Sequence, residues 1–294
     1  MTVVFGVPLP AILGQLMLGL VNGSFYALLS LGLAVIFGLL GVVNFAHGAF
    51  YMLGAFAAYI GLQFLGVNYW CALLLAPLAV GLLGIVIERL FLRHLYQLDP
   101  LYGLLLTFGI ALIAEGVMRG VFGASGKSYP VPESLQGGFN LGFMVLPIYR
   151  AWAVFASLTV CGLTWFLIER TRLGAMLRAA TENARLVQAF GINVPLMVMT
   201  TYGAGVALAA LAGVLAAPVT QVSPLMGSSL VIVVFAVVVI GGMGSIIGAI
   251  VSGLVLGMIE GLTKVIYPEA SNIVVFVIMA VVLIWRPTGL FGRE

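Results

Sequence analysis

Two very long stretches of this chain carry no charged side chain. Asp, Glu, Lys and Arg are absent from residues 1–87 and again from residues 186–259. A transmembrane helix needs about 20 consecutive apolar residues, because that number spans the hydrocarbon core of a bilayer. A single buried helix of a soluble protein cannot account for runs of this length. Each stretch is therefore predicted to contain several membrane-spanning helices.

The composition supports the same fold class. Hydrophobic residues make up 63% of the 294 residues and charged residues only 7%, against about 25% charged in an average globular protein. The pattern predicts an all-α fold, a polytopic transmembrane helical bundle of eight to ten helices that forms one domain over residues 1–294. The first run is long enough to tilt strongly or to contain a break at Asn22-Gly23. The predicted spans lie near residues 10–38, 47–66, 70–90, 100–118, 149–168, 195–218, 228–242, 245–263 and 272–286.

The positions of the basic residues predict the orientation in the membrane. Short cytoplasmic loops of membrane proteins are enriched in Lys and Arg. Three basic clusters occur, around Arg89, within Glu169–Arg185, and at Arg286 with Arg293. Even numbers of predicted spans separate them, as a common cytoplasmic side requires. We therefore expect a cytoplasmic loop at about 169–194 and an external loop at about 119–148.

The cytoplasmic loop is the one concentrated polar segment of the chain. Six of the charged residues fall within Glu169–Arg185, between long apolar runs. The segment predicts two short helices, the first over Leu173–Ala180 and the second capped by Thr181, with Gly191 as a left-handed terminator. An apolar stripe on the second helix needs something to cover it. Its residues are Ala184, Val187 and Phe190.

Two interpretations of this stripe stay open on composition alone. It docks onto a soluble partner in the cytoplasm, or it packs on the chain's own helices while the arginines only set the topology.

Two polar or glycine-rich breaks are candidates for a gate or a pathway. Asn44, His47 and Gly48 form the first, which the helix count places near the cytoplasmic mouth; capping of the next helix is the alternative role. The second break is formed by Gly242, Gly244 and Ser245 and is also expected at the cytoplasmic end. The segment 218–228 is expected on the external side.

Spacing along the helices predicts packing and ion pairs. Glycines recur four apart at Gly19/Gly23 and in the run Gly253/Gly257/Gly261, a spacing that lets helix backbones approach closely in lipid. Two charged pairs, also four apart, are expected to neutralise each other near the external ends of their helices. They are Glu115 with Arg119 and Glu260 with Lys264.

Several classes of function are disfavoured. With two histidines and no paired carboxylates in one segment, the sequence predicts no catalytic site and no metal site, and nothing in it indicates nucleic-acid binding. The segment Gly126-Lys127-Ser128 is not a phosphate-binding loop, because Val121 stands where the motif needs glycine. No charge lies at the middle of a predicted span, which argues against an ion-coupled secondary carrier. Cys71 and Cys161 are expected to be buried, reduced thiols within apolar runs.

Six short motifs, taken together and in order, resemble the LivH-type permease subunit of branched-chain amino-acid ABC importers. The match covers nearly the whole chain. One departure is Ala49, where many relatives are expected to carry an acidic residue; it weakens the inference about substrate more than the one about family. The motifs are Asn44-Phe45-Ala46-His47-Gly48, Glu88-Arg89, Thr171-Arg172-Leu173-Gly174 with Arg178-Ala179 and Glu182, Gly191-Ile192-Asn193, Gly241-Gly242-Met243-Gly244-Ser245 with Gly248-Ala249, and Pro287-Thr288-Gly289-Leu290-Phe291-Gly292.

The resemblance implies a set of partners and a location. A second permease subunit, identical or related, two cytoplasmic ATP-binding subunits and an extracytoplasmic substrate-binding protein would assemble with this chain in a bacterial-type inner membrane, which it crosses several times. ATP and Mg would be bound by the partners, so no cofactor is expected in this chain. The cargo would be leucine, isoleucine, valine or a related apolar amino acid; importers of urea or short-chain amides have similar permeases and remain the alternative.

The resemblance also assigns the polar segment a role as the loop that couples to the ATPase. The positions that match the coupling segment are Arg172, Gly174, Arg178, Ala179, Glu182, Asn183, Ala184 and Gly191.

Overall fold

The computed structural model describes residues 3–4, 7–41 and 43–292, and these form eleven α-helices and two short antiparallel strand pairs. Arg293, part of the third basic cluster, lies outside the described residues. The strands are β1 (Val3–Val4) with β2 (Val7–Pro8) and β3 (Gly138–Asn140) with β4 (Val145–Pro147). The helices are α1 (Leu9–Leu40), α2 (His47–Leu65), α3 (Tyr69–Leu90), α4 (Pro100–Phe122), α5 (Ile148–Arg170), α6 (Arg172–Glu182), α7 (Ala184–Ala189), α8 (Val194–Ala216), α9 (Met226–Gly241), α10 (Ile246–Ile266) and α11 (Val274–Trp285).

Nine of the described helices coincide with the nine predicted spans, and the prediction of an all-α transmembrane bundle is confirmed. Seven are long and apolar enough to cross a membrane, while α9 and α11 are shorter apolar helices. The first run is one continuous helix of 32 residues, so the break considered at Asn22-Gly23 does not occur. The remaining two helices, α6 and α7, form the connection between α5 and α8.

Glycines bring α1 and α10 into backbone contact, and this is the most extensive helix pair in the bundle. The helices run antiparallel, so that Gly19 and Gly23 face Gly257 while Ala27 faces Gly253. A β-carbon added to Gly253 would lie 2.6 Å from the Ala27 Cα, and one added to Gly257 would overlap the Gly23 backbone. The predicted packing role of the four-residue glycine spacing is confirmed.

Both predicted ion pairs on the helices form. Arg119 Nη2 lies 2.8 Å from Glu115 Oε1, and Lys264 Nζ lies 2.6 Å from Glu260 Oε1. The second carboxylate also accepts a hydrogen bond of 2.8 Å from the Tyr26 hydroxyl. Glu260 thus joins α10 to α1 in the region where the glycines hold the two backbones together.

The two ends of the bundle can be identified from these contacts. At the inner end, predicted to be cytoplasmic, α1 finishes near the turn before α10, since Gly38 packs on Gly244. At the outer end, the Tyr149 hydroxyl at the start of α5 donates a 2.9 Å hydrogen bond to the Leu215 carbonyl near the end of α8. The segment after α4 covers this end, and burial raises the pKa of its Tyr129 to about 12.

Helices α2 and α9 both begin inside the bundle rather than at an end. His47, the first residue of α2, lies 2.9 Å from the Leu29 carbonyl through Nε2. Leu29 is eleven residues before the end of α1, which corresponds to about 16 Å along the helix axis. Gly227, at the start of α9, contacts Gly48 of α2 and so lies at a similar depth. The shortness of α9 follows, because it crosses only the inner part of the bundle.

Candidate functional site

The connection between α5 and α8 folds back tightly on the end of α5. Gly174, in the first turn of α6, is buried, and a β-carbon at this position would overlap the Ile168 carbonyl. Only glycine permits this approach, because the obstacle is backbone and cannot rotate away. The close packing fixes the direction in which α6 leaves α5.

Arg178 reinforces the same junction. Its Nη1 donates a 3.0 Å hydrogen bond to the Ile168 carbonyl and lies 3.4 Å from Glu169 Oε2. The last carbonyls of a helix have no partner within the helix, so the guanidinium satisfies one of them while pairing with a neighbouring carboxylate. The Arg178 side chain is therefore directed at its own chain and joins α6 to α5.

Asparagine side chains begin the next two helices. Asn183 Oδ1 accepts from the Leu186 amide at 3.0 Å, and Asn193 Oδ1 accepts from the Leu196 amide at 3.1 Å. The prediction that Thr181 caps α7 is wrong, because α6 continues to Glu182 and the Thr181 hydroxyl donates to the Arg178 carbonyl. Asn183 takes the cap position because its backbone is not helical and its Oδ1 reaches the Leu186 amide.

The left-handed terminator after α7 is confirmed. Gly191 has a φ of 82° and its amide donates to the Gln188 carbonyl at 2.9 Å. A glycine takes this conformation without the strain that a side chain would cause.

Part of the apolar stripe of α7 packs on the chain itself, and part is free to contact a partner. Val187 is buried by the chain itself, while Phe190 is 77% exposed and Leu186 is 55% exposed. The exposed side chains border a groove of ≈ 380 Å³ between α6 and α7. Arg172 and Arg185 are also exposed. The remaining lining of the groove is Ala175, Met176, Ala179, Glu182, Asn183, Val187 and Ile192.

A second cavity of ≈ 320 Å³ lies at the inner end and joins the connection to the body of the bundle. Arg178 and Glu182 line it on one side, and Gly244 and Ser245 line it on the other. Two of the predicted gate residues and two of the predicted coupling residues therefore share one cavity. The rest of its lining is Ala34, Val35, Gly38, Ile168, Glu169, Thr181, Met243, Ile246, Phe291 and Gly292.

The turn between α9 and α10 is rich in glycine and packs against residues 290–292 near the end of the chain. Gly242 and Gly244 have φ values of 99° and 85°. A β-carbon on Gly242 would overlap the Gly292 backbone, and the Leu290 amide donates to the Ile240 carbonyl at 2.8 Å. Ser245 Oγ then caps α10 by accepting from the Gly248 amide at 3.1 Å.

The other predicted gate residues lie deep in the bundle, and their expected position at the cytoplasmic mouth is corrected. Asn44 and His47 are buried, with the Asn44 amide donating to the Tyr202 hydroxyl at 3.2 Å. Asn44 Oδ1 accepts from the Ala46 amide at 3.1 Å, which stabilises the turn into α2. The chain re-enters the bundle after α1 because both polar atoms of the Asn44 side chain and His47 Nε2 find partners there, while His47 Nδ1 has no hydrogen-bond partner among the described residues. Helix counting does not reveal this depth.

Gly48 and Gly227 allow the starts of α2 and α9 to touch. A β-carbon on Gly48 would lie 2.5 Å from the Gly227 carbonyl oxygen. Beside them, the rings of Phe45 and Phe235 stack with centroids 4.9 Å apart. The candidate gate residues thus lie at two different depths. His47 contacts Leu29 of α1 and Gly244 contacts Gly38 of α1, and these two positions are about 14 Å apart along the helix.

Some residues of this site were not predicted from the sequence. Glu169 and Ile168 hold Arg178, Tyr202 holds Asn44, and Gly227 meets Gly48. The contact of Gly227 with Gly48 did leave a signal in the sequence, because Gly227-Ser228-Ser229 is a short segment of small and polar residues inside an apolar run. A backbone carbonyl and a distant tyrosine leave no such signal.

Comparisons with known proteins agree with this architecture. The family described as branched-chain amino acid transport system / permease component matches residues 15–283. The high-affinity branched-chain amino acid transport system permease protein BraD of Pseudomonas aeruginosa is 33% identical over 297 residues, covering 96% of each chain. Its Escherichia coli counterpart LivH is 30% identical over 299 residues, again with 96% of each chain covered.

A more distant similarity extends to a second type of permease protein. The permease protein LivM of the same system in Escherichia coli is 28% identical over 293 residues, covering 90% of this chain and 67% of LivM. No solved structure matches the chain.

Proposed function

Because this chain belongs to the permease component family of branched-chain amino acid transport systems, we propose that it carries leucine, isoleucine, valine or a related apolar amino acid through the membrane in an ATP-driven importer. It is a multi-pass membrane protein and a transport subunit rather than an enzyme. The relatives act in branched-chain amino acid transport, which favours this cargo over urea or short-chain amides.

The α5–α8 connection is the proposed coupling loop, and its geometry carries the proposal. Gly174 and Arg178 lock α6 onto the end of α5, and Asn193 begins α8 directly after the loop. A force on the loop is therefore transmitted to both helices instead of being lost in a flexible linker. The exposed Leu186 and Phe190 offer an apolar contact of the kind that a partner subunit covers.

We propose two ATP-binding subunits as the partners at the inner end, an extracytoplasmic binding protein at the outer end, and a second permease subunit beside this chain. ATP and Mg would belong to the ATP-binding subunits. The bacterial inner membrane is the proposed location, and residues 1–294 the proposed single permease domain.

The proposed pathway passes the point where α2 and α9 begin. Backbone that is not helical is tolerated at membrane depth only where protein buries it or where it lines a cavity, and transporters use such broken helices around their permeation path. Asn44, His47 and Gly48 hold one break, and a pocket of ≈ 70 Å³ beside Gly48 and Gly227 opens next to it. Gly242, Gly244 and Ser245 are proposed as the inner gate, because they share a cavity with the coupling loop.

Reconstitution of the full complex tests the proposed function. Proteoliposomes that contain the permease, its co-encoded subunits and the loaded binding protein are expected to accumulate radiolabelled leucine only with ATP inside the compartment that faces the coupling loop. Urea and acetamide are the matched cargoes. Uptake of urea but not of leucine would identify the chain as part of a urea or amide importer. Leucine uptake by this chain alone, driven by an ion gradient, would contradict an ATP-driven importer.

Substituting Gly48 by alanine is expected to impair transport by separating α2 from α9. The added methyl group meets the Gly227 carbonyl oxygen at 2.5 Å, and overpacking a tight contact costs about 1–3 kcal/mol. A barrier raised by that amount lowers the transport rate by roughly five- to 150-fold. ATP-driven uptake per assembled complex measures the effect. Gly61→Ala on the same helix is the control, since its methyl group would lie 3.5 Å from Val67. Equal uptake by both variants would show that transport does not depend on the contact between Gly48 and Gly227.

A further inference from the structure

A cavity lined by both polar and apolar residues lies at the outer end of the bundle, away from the coupling loop and from the breaks in α2 and α9. Its volume is ≈ 250 Å³, well above the roughly 10–15 Å³ that a single water molecule needs. It is enclosed by α1, by the first turn of α5, by the end of α10 and by the segment after α8. Its lining residues are Gln15, Leu18, Gly19, Val21, Asn22, Arg150, Val219, Gly261 and Lys264.

The cavity keeps one positive charge that the surrounding protein does not neutralise. Lys264 is paired with Glu260 at 2.6 Å. Arg150, by contrast, has no carboxylate within 4.0 Å and no hydrogen bond from its side chain to any residue in the part of the chain that the structure describes. A half-buried guanidinium presents several N–H donors in a planar fork, which suits a carboxylate.

Two amide side chains face the same cavity from one side of α1. Gln15 and Asn22 lie seven residues apart, which places them on one face of the helix and about 10 Å from each other along its axis. Neither side chain forms a hydrogen bond with another described residue. Amides in a largely apolar helix are costly without partners, and their carbonyl oxygens can accept from an ammonium group.

The third part of the lining is aliphatic. Leu18, Val21 and Val219 contribute branched hydrocarbon side chains to the lining of the cavity. Cation, amide acceptors and aliphatic surface in one cavity match the carboxylate, the ammonium and the side chain of an aliphatic α-amino acid.

We propose that this cavity is an entry site that binds the free aliphatic amino acid, with its carboxylate on Arg150, before it reaches the break between α2 and α9. The inference rests on the proposed function and adds a substrate-binding residue to it. The site receives the amino acid at the outer end, and the amides hold the ammonium group.

Protection of an introduced cysteine from labelling tests the entry site directly. Cys161 is buried as predicted, whereas Cys71 is exposed, contrary to the prediction. Leu18→Cys, in a chain whose Cys71 is replaced by serine, is therefore labelled with a neutral maleimide in the assembled complex without binding protein. We expect leucine to slow the labelling at least about threefold, and leucinamide, which lacks the carboxylate, to have no such effect. Arg150→Gln is expected to abolish the protection, and Arg150→Lys to retain part of it.

Each other outcome contradicts the proposal. Equal protection by leucine and leucinamide would mean that the cavity does not recognise the carboxylate. Protection that persists in Arg150→Gln would mean that Arg150 does not bind the amino acid. Loss of bound anionic lipid or of binding-protein affinity in Arg150→Gln, with leucine protection unchanged, would assign the arginine to another ligand. Leucine uptake by the wild-type complex, measured on the same preparation, separates these results from failure of the proposed function.

Discussion

Replacing Gly257 by leucine is expected to prevent the bundle from assembling. A side chain at this position would overlap the Gly23 backbone, and neither backbone can rotate out of the way. Overpacking ordinarily costs about 1–3 kcal/mol where side chains can adjust, and a contact between two backbones leaves no such adjustment. We expect the amount of monodisperse permease extracted from membranes to fall by about tenfold or more, since each 1.4 kcal/mol changes an equilibrium tenfold.

Gly162 on α5 supplies the matched control. It is also a helical glycine in a transmembrane segment, but a β-carbon there would meet nothing within 4 Å. Gly162→Leu should therefore give the wild-type yield in size-exclusion chromatography after solubilisation. A normal yield of Gly257→Leu would show that α1 and α10 do not rely on close backbone packing.

An aspartate at Phe190 is expected to uncouple transport without harming the permease itself. Phe190 is 77% exposed at the rim of the groove between α6 and α7. Aromatic side chains at the centre of an interface often contribute 2 kcal/mol or more to binding, and a desolvated carboxylate adds a further cost, so association with the ATP-binding subunits should weaken by about thirtyfold. Copurification of these subunits and ATP-driven leucine uptake measure the effect.

Phe139 provides a control with the same chemistry at the opposite end. It is 54% exposed on β3 in the loop predicted to be external. Phe139→Asp should leave copurification of the ATP-binding subunits at the wild-type level. If Phe190→Asp retained both the subunits and uptake, the groove would not be the docking surface.

The helices were predictable from the sequence because charge is so costly in a bilayer. The apolar runs gave nine spans that coincide with α1–α5 and α8–α11. The glycine spacing predicted close backbone packing of α1 and of α10, but not that these two helices pair with each other. The polar segment gave two short helices and the terminator at Gly191. Propensity and polarity decide such features locally, so no knowledge of the rest of the fold is needed.

The depth of the breaks was not predictable in the same way. Asn44 and His47 look like residues of a loop at the membrane surface, yet Tyr202 and the Leu29 carbonyl bind them inside the bundle. The pairing of Arg178 with the Ile168 carbonyl and the cavity around Arg150 depend equally on distant helices. Contacts that are set by packing leave no periodicity in one sequence.

The proposed coupling mechanism requires the α5–α8 connection to face the cytoplasm and the ATP-binding subunits to cover it there. Phe190→Cys, combined with Cys71→Ser, allows this to be measured with a membrane-impermeant maleimide on right-side-out and inside-out vesicles. Labelling is expected only in inside-out vesicles, and it should be blocked once the ATP-binding subunits are bound. Labelling of right-side-out vesicles would place the connection outside the cell, and labelling that these subunits do not reduce would exclude it as their docking surface.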